Sequence, residues 1–380
     1  MAVYARLVSK SAAYAGIITA SFYIGSVGMR LVNGVMVQRY GARRLMLISA
    51  ALCAAACLAH SFAAGIALLV FIRVLHGAGY SVFSTASGTA ASYMVPQSRL
   101  GEGMGYFTIG NVLAMAVGPS VALSIVAGGT QARFKLLFCT AAFVCAAAFV
   151  LVLSIRHGRS AHSFTAPGSA AVRLPKTFLG FERGVALPAL ISFLMTFAYS
   201  PAIVYLSVYG LSKGWANVGF AFTMYAVGLL SSRLFTGRLS DRLGHDCVMI
   251  PAYFCGCAAL CLLAFCAARW QLEAAMVVMG LCVGAYNPQI NVLCISRCSE
   301  ARRGTATAAF NGASDLGLAM GSALTGLLIE RCGYRFTFLN GAFICFLTMF
   351  VYLFFLSEHA GGRRLKTSAA LQPGGAKSSN

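Results

Sequence analysis

The sequence predicts an all-α protein that crosses a membrane many times, and three observations predict it. Of its 380 residues, 59% are hydrophobic and only 10% charged, against roughly a quarter charged in soluble domains whose surfaces face water. The apolar residues come in successive stretches of about 20, the length needed to cross ~30 Å of hydrocarbon. The basic residues gather in short connections on alternate sides of those stretches, the pattern that orients helical membrane proteins. Backbone groups in lipid must pair within their own segment, so the spans are helices. The alternating ten-residue segments of a strand barrel are absent.

Eleven spans follow in order along the chain. The first, 12–37, ends at the basic loop of Arg39, Arg43 and Arg44, which is assigned to the cytoplasm. The second, 45–64, carries Cys53 and Cys57, and the third, 65–95, holds Arg73 inside an apolar run. The fourth, 103–126, contains the pair Gly118-Pro119, and the fifth, 134–155, contains Cys139 and Cys145. The polar stretch 156–184, with Pro, Gly, Ser and basic residues, reads as a cytoplasmic linker. Beyond it lie 185–209, 218–235, 248–268, 272–295, 305–329 (with Asp315) and 336–356. The tail 357–380 has Gly, Ser, Lys and Arg with little apolar surface, so it is expected to be disordered and cytoplasmic.

Composition also excludes function classes. The net charge of +20 follows the loops rather than one face or helix, so orientation accounts for it and nucleic acid does not. Most of the 14 cysteines lie in apolar runs, where cysteine acts as a small hydrophobe. No Cys-x-x-Cys has a matching His or Cys pair, so neither a metal nor another cofactor is expected. There is no His-Glu-x-x-His, no paired intramembrane aspartates and no Ser/His constellation, which argues against an enzyme.

The two glycine- and arginine-bearing seams, "LVNGVMVQRYGARR" at 31–44 and "FTGRLSDRLGHD" at 235–246, are one pattern repeated at an offset of 203 residues. Gly237 falls on Gly34, Arg242 on Arg39, Gly244 on Gly41 and Arg233 on Arg30. The same offset carries Gly219 to Gly16, Gly228 to Gly25, Gly280 to Gly77, Arg302 to Arg99 and Gly321 to Gly118. The chain therefore divides into an N-terminal half, 1–155, the linker 156–184, and a six-helix C-terminal half, 185–356. Two parallel repeats with a site between them near the midplane are a transporter architecture. The first-half counterpart of span 185–209 falls almost wholly before Met1, so a twelve-span plan is expected with its first helix missing. Met1 is then expected not to be the natural start, or the gene to be truncated.

These residues resemble the major facilitator superfamily of secondary transporters, over the whole chain. Its loop motif, G-x-L-x-D-R-x-G-R-R, is matched by "GRLSDRLGHD" at Gly237, Leu239, Asp241, Arg242 and Gly244. In the first half Gly34, Arg39, Gly41 and Arg43 match, with Arg44 close behind, and Gln38 stands where the family has aspartate. The resemblance implies a conformational latch there, weakened at Gln38. "RVLHGAG" resembles the R-x-x-x-G-x-G of the family's fourth helix, at Arg73, Gly77 and Gly79. "GNVLAMAVGPSV" partly resembles the bend of efflux antiporters, at Gly110, Gly118 and Pro119.

What this implies is proton-coupled export of a small amphipathic molecule, with an importer of a small metabolite as the alternative. A truncated, transport-inactive relic is a minor alternative. Arg73, His76 and Asp315 are the candidates for proton coupling: Arg73 and Asp315 are charges within spans, and His76 shares a helix face with Arg73. The helices that line the cavity in the family offer Tyr80 and Ser84, then Phe197, Tyr199 and Tyr205, then Tyr286, Asn287, Gln289 and Asn291. The expected partners are the substrate, protons and lipid, for a monomer in the plasma (inner) membrane of a bacterial cell with its C-terminus in the cytoplasm. Single cysteines at Ser169 and Ser378, in a cysteine-depleted background, should therefore resist an impermeant maleimide in intact cells. Labelling there would reverse the topology.

Overall fold

The computed structural model describes residues 3, 4, 11–63, 65–95, 100–127, 129–155, 183–297 and 303–356. Arg6, Lys10, most of the linker 156–184 and the tail 357–380 lie outside the described residues. The described chain is helical, without a strand. In order it forms α1 (Ala12–Tyr40), α2 (Ala42–His60), α3 (Ile66–Met94), α4 (Leu100–Ile125) and α5 (Gln131–Ser154). There follow α6 (Arg183–Val204), a short α7 (Leu206–Ser212), α8 (Phe220–Leu243), α9 (Asp246–Ala264), α10 (Arg269–Ser296) and α11 (Arg303–Phe355).

Each expected span is a helix, and α11 holds two of them. Gly333, at φ 76° and ψ 173°, breaks α11 into two arms at the gap between spans 305–329 and 336–356. Eight of the described helices are long and apolar enough to cross a membrane, with α11 counted once. α8, which carries Arg233, Arg238, Asp241 and Arg242, is not among them, and α4 offers a shorter apolar segment, Ile109–Ile125. Phe62, Phe143, Leu151, Leu234 and Phe354 point outward, as side chains facing lipid do.

The repeat read from the numbering reappears in the backbone. Gly41 and Gly244 close α1 and α8 with φ of 81° and 85°, a region open almost to glycine alone. Each donates its N–H to the carbonyl four residues back, Val37 at 3.0 Å and Ser240 at 2.9 Å, and those acceptors are also 203 apart. Within the first half, a Cβ at Gly25 would overlap the Val74 carbonyl, and one at Gly77 the Phe22 carbonyl, so α1 and α3 touch backbone to backbone. In the second half Gly228 meets Val277 and Gly280 meets Tyr225, the same pairs shifted by 203, which joins α8 to α10.

The contact between halves obeys the same arithmetic with the partners exchanged. Gly16 on α1 packs against Ser322 and Ala323 on α11, while Gly219, just before α8, packs against Ser120 on α4. Adding 203 to 16 gives 219, and subtracting it from 323 gives 120. An approximate two-fold relation between the helices of 1–155 and those of 185–356 follows from these contacts.

Small residues matter because lipid is as apolar as leucine, so helices associate by close packing and polar contacts. Gly77→Val and Gly280→Val should each destabilise the detergent-solubilised protein by about 3 kcal/mol, at the upper end of overpacking costs. Gly28→Ala should not, since nothing lies within 4 Å of a Cβ there. Equal melting of all three variants would refute the backbone contacts.

Candidate functional site

Four apolar turns of α1 bring Ser26 and Arg30 onto one face, four residues apart. That face meets the first arm of α11 at Asp315, which accepts from Ser26 Oγ at 2.8 Å and from Arg30 Nε at 2.5 Å. The two charged side chains are 12% and 11% exposed. A lone charge at a helix centre costs about 2.5–3.5 kcal/mol on insertion scales, and the pairing offsets much of that. One turn further toward the Gly41 end the helices part, and nothing lies within 4 Å of a Cβ at Gly34 or Gly312.

Arg73 is differently held. It is buried, donates from Nε to the Ile18 carbonyl at 3.4 Å and lies 4.5 Å over the Phe22 ring. No carboxylate pairs with it among the described residues. Tyr23 sits within electrostatic reach of both Arg73 and Asp315, and Tyr80 within reach of Asp315 and Arg30. Across the seam Tyr199 of α6 lies within reach of Tyr23, Tyr225 and Tyr286, and Tyr225 within reach of Arg233. The hydroxyl of Tyr286 donates toward the Ser192 carbonyl at 3.4 Å, and Ser192 bonds Ser314 at 2.6 Å, so α10, α6 and α11 share one polar seam. Among the described residues the centre is thus a belt of tyrosines with three arginines and one acid.

His76 has its contacts within the first half. It faces α2, with Nε2 3.9 Å from Cys57 Sγ and its ring edge-on to His60 and Phe22. Its Nδ1 is buried without a partner. Among the described residues, no three His, Cys, Asp or Glu side chains are placed to hold a metal ion.

Other cavity candidates divide by depth. Asn287 is partly buried on α10, and Asn291 keeps a buried Oδ1 without a partner. Gln289 is tied to the α8–α9 turn, where its Oε1 accepts from Ser240 at 2.8 Å and contacts His245 Nδ1 at 2.6 Å. Tyr205 lies at the opposite end of the bundle, where its hydroxyl donates to the carbonyls of Ala12 and Ser322 at 3.1 and 3.0 Å. That end is closed: Ser11 and the Ala13 N–H bond the Glu330 carboxylate, and Thr223 donates to Ala116 at 2.9 Å. Phe197 lines a small cleft with Pro201 and Thr325, while Ser84 is partly buried on α3.

The residues of the expected latch sit at the open end. Gly34 and Gly237 face open space, Arg39 is exposed over the Tyr40 ring and Arg242 is exposed. Arg43 donates to the Leu153 carbonyl at 2.8 Å, satisfying one of the unpaired carbonyls at the end of α5. The side chains of Gln38 and Asp241 lie outside the described residues. On α4, Pro119 lies inside the helix, but a Cβ at Gly110 or Gly118 would meet nothing within 4 Å. The close approach of α4 to α8 is made at Ser120 instead.

Sequence reasoning missed Arg30 as the partner of Asp315. In the sequence that arginine stands out only as the repeat counterpart of Arg233. It also missed a cavity of about 570 Å³ at the closed end, lined by Tyr209, Lys213, Phe265, Cys266, Tyr334 and Arg335.

The family model for the Major Facilitator Superfamily matches residues 2–220 and again 185–377. The chain belongs to this superfamily. It is 23% identical over 353 residues to an uncharacterized MFS-type transporter of Salmonella typhimurium, covering 90% of this chain and 87% of the relative. It is 27% identical over 333 residues to a probable nitrate/nitrite transporter of Mycobacterium tuberculosis (83% and 79% covered). It is 24% identical over 320 residues to the multidrug resistance protein MdtG of Enterobacter lignolyticus (82% and 75%). Among solved structures, a mutant of the nucleoside transporter NupG superposes with a TM-score of 0.74 at 16% identity, over 94% of each chain. The inward-open xylose transporter XylE from E. coli superposes at 0.73 and 14% identity, over 90% and 86%. The protein is a multi-pass membrane transporter of the MFS fold.

The Arg30–Asp315 pair yields a stability test. Arg30→Gln leaves the Asp315 carboxylate without its cation and should cost about 3 kcal/mol, the lower end for breaking a buried pair. Arg30→Lys should recover most of the loss in melting temperature. Wild-type melting of Arg30→Gln would show that the pair carries no stability.

Proposed function

We propose that the protein is a proton-coupled exporter that moves a small amphipathic molecule by alternating access. The reading places it as a monomer in a bacterial plasma membrane, with linker and tail in the cytoplasm. The observation that carries it is the Asp315 carboxylate, held by Arg30 and Ser26 of the other half where α1 and α11 begin to part. A carboxylate at such a place can take up a proton and lose its hold on the arginine in one event, which is what coupling requires. Arg73 and His76 belong to this reading as a buried charge beside Tyr23 and a second titratable group. Outward transport is supported by Gly118-Pro119 and by the multidrug resistance relative.

Everted vesicles with an acid interior test it, with a pH dye inside. Ethidium, benzamide and benzoate serve as cationic, neutral and anionic probes. An antiporter alkalinises the interior when its substrate is added outside, and Asp315→Asn should abolish that response while reaching the membrane normally. A response confined to right-side-out vesicles, no response to any probe, or an unchanged response in Asp315→Asn would overturn the reading.

A further inference from the structure

The two halves match residue for residue at the ion pair except where the chemistry lies. Shifting Arg30 by 203 gives Arg233, but shifting Ser26 gives Leu229 and shifting Asp315 back gives Val112. The packing makes these true counterparts. α1 meets α11 at Gly16 and Ala323 as α8 meets α4 at Gly219 and Ser120. Val112 is 3% exposed and belongs to the core built by the second half. Where the first half sets serine and aspartate beside its arginine, the second sets leucine and valine.

Arg233 consequently lacks what Arg30 has. Its Nε is buried and makes no hydrogen bond, and no acid pairs with it among the described residues. The side chain is only partly buried, so it can be reached. Among the described residues Tyr225 lies within its electrostatic reach, and Tyr286 and Tyr199 lie within reach of Tyr225. A buried guanidinium nitrogen without a partner is costly, and the planar fork it belongs to matches a carboxylate with two parallel hydrogen bonds.

Resting on the transporter reading, we infer that the substrate is a small organic anion, whose carboxylate pairs with Arg233 in the role Asp315 plays for Arg30 and whose apolar body lies along the tyrosine belt. Arg73 is not the anion's partner, because it already rests on Phe22 and the Ile18 carbonyl inside the first half. Arg30 already has Asp315. Of these three arginines, Arg233 is the one left without an acid or a hydrogen bond at Nε among the described residues.

Three probes with one body test the charge alone: benzoate, benzamide and benzylammonium, titrated calorimetrically into the purified full chain. Benzoate should bind at least tenfold more tightly than the other two. Arg233→Gln should lose that preference and Arg233→Lys keep part of it. Val112→Asp, which builds the missing acid into the protein, should lose benzoate binding, whereas Val112→Asn should bind within twofold of wild type. If Val112→Asp fails to fold, the contrast of Arg233→Gln with Arg233→Lys decides. Preference for benzamide or benzylammonium, or wild-type benzoate binding by Arg233→Gln, would overturn the anion site. Benzamide driving the proton response in vesicles without benzoate binding would sink the anion site and leave transport standing. Benzoate binding with no probe moving protons would do the reverse.

Discussion

Helices in hydrocarbon gain nothing by burying leucine against leucine, because lipid offers the same surface. Specificity then rests on backbones brought together at small residues and on the few polar groups within the membrane. Here the first device builds each half, through Gly25 and Gly77 in one and Gly228 and Gly280 in the other. The second joins the halves, through one ion pair between Arg30 and Asp315 among the described residues. The glycine contacts do not depend on charge, since backbone alone makes them. The ion pair is conditional, because its strength depends on the charge of both members.

The repeat is kept where it packs and broken where it could do chemistry. Positive φ at Gly41 and Gly244, and the carbonyls met by the four packing glycines, agree across 203 residues. Asp315 against Val112 and Ser26 against Leu229 do not. Nor do the glycines of the expected bend: Gly118 faces open space, whereas its counterpart Gly321 abuts Ser200 and Phe197. A symmetric scaffold with an asymmetric interior lets one seam carry a built-in acid while the other, among the described residues, has a cation without one.

Much of this was legible before any coordinates. Span length and loop charge are properties of single segments, so all the spans could be placed. A constant offset preserves itself through folding, so Gly41 and Gly244 could be paired as equals from the numbering. Pairings between segments were not legible. Asp315 and Arg30 lie 285 residues apart, and nothing in an apolar helix announces which face turns toward which neighbour. The same gap hid the bond from Gln289 to Ser240 and turned Tyr205 from an expected cavity wall into a clamp at the closed end. His76 shares a helix face with Arg73 by spacing, and the fold sets its ring against Cys57 of α2.

The position of the ion pair bears on how a proton could move the protein. At the closed end, hydrogen bonds from Tyr205 and around Glu330 join the halves, and past the ion pair the helices separate. The pair therefore stands at the fulcrum between a sealed and an open side. On the proposed coupling, protonating Asp315 removes a charge and weakens its hold on Arg30, although the carboxyl can still bond Ser26. The freed guanidinium must then find water or an anion, and the open side supplies the first. A second arginine, Arg233, occupies the equivalent place on the other seam, with no acid paired to it among the described residues. An anion bound there would balance the second seam as Asp315 balances the first. Proton and substrate would then act on equivalent joints of one scaffold, which couples them without any contact between the two.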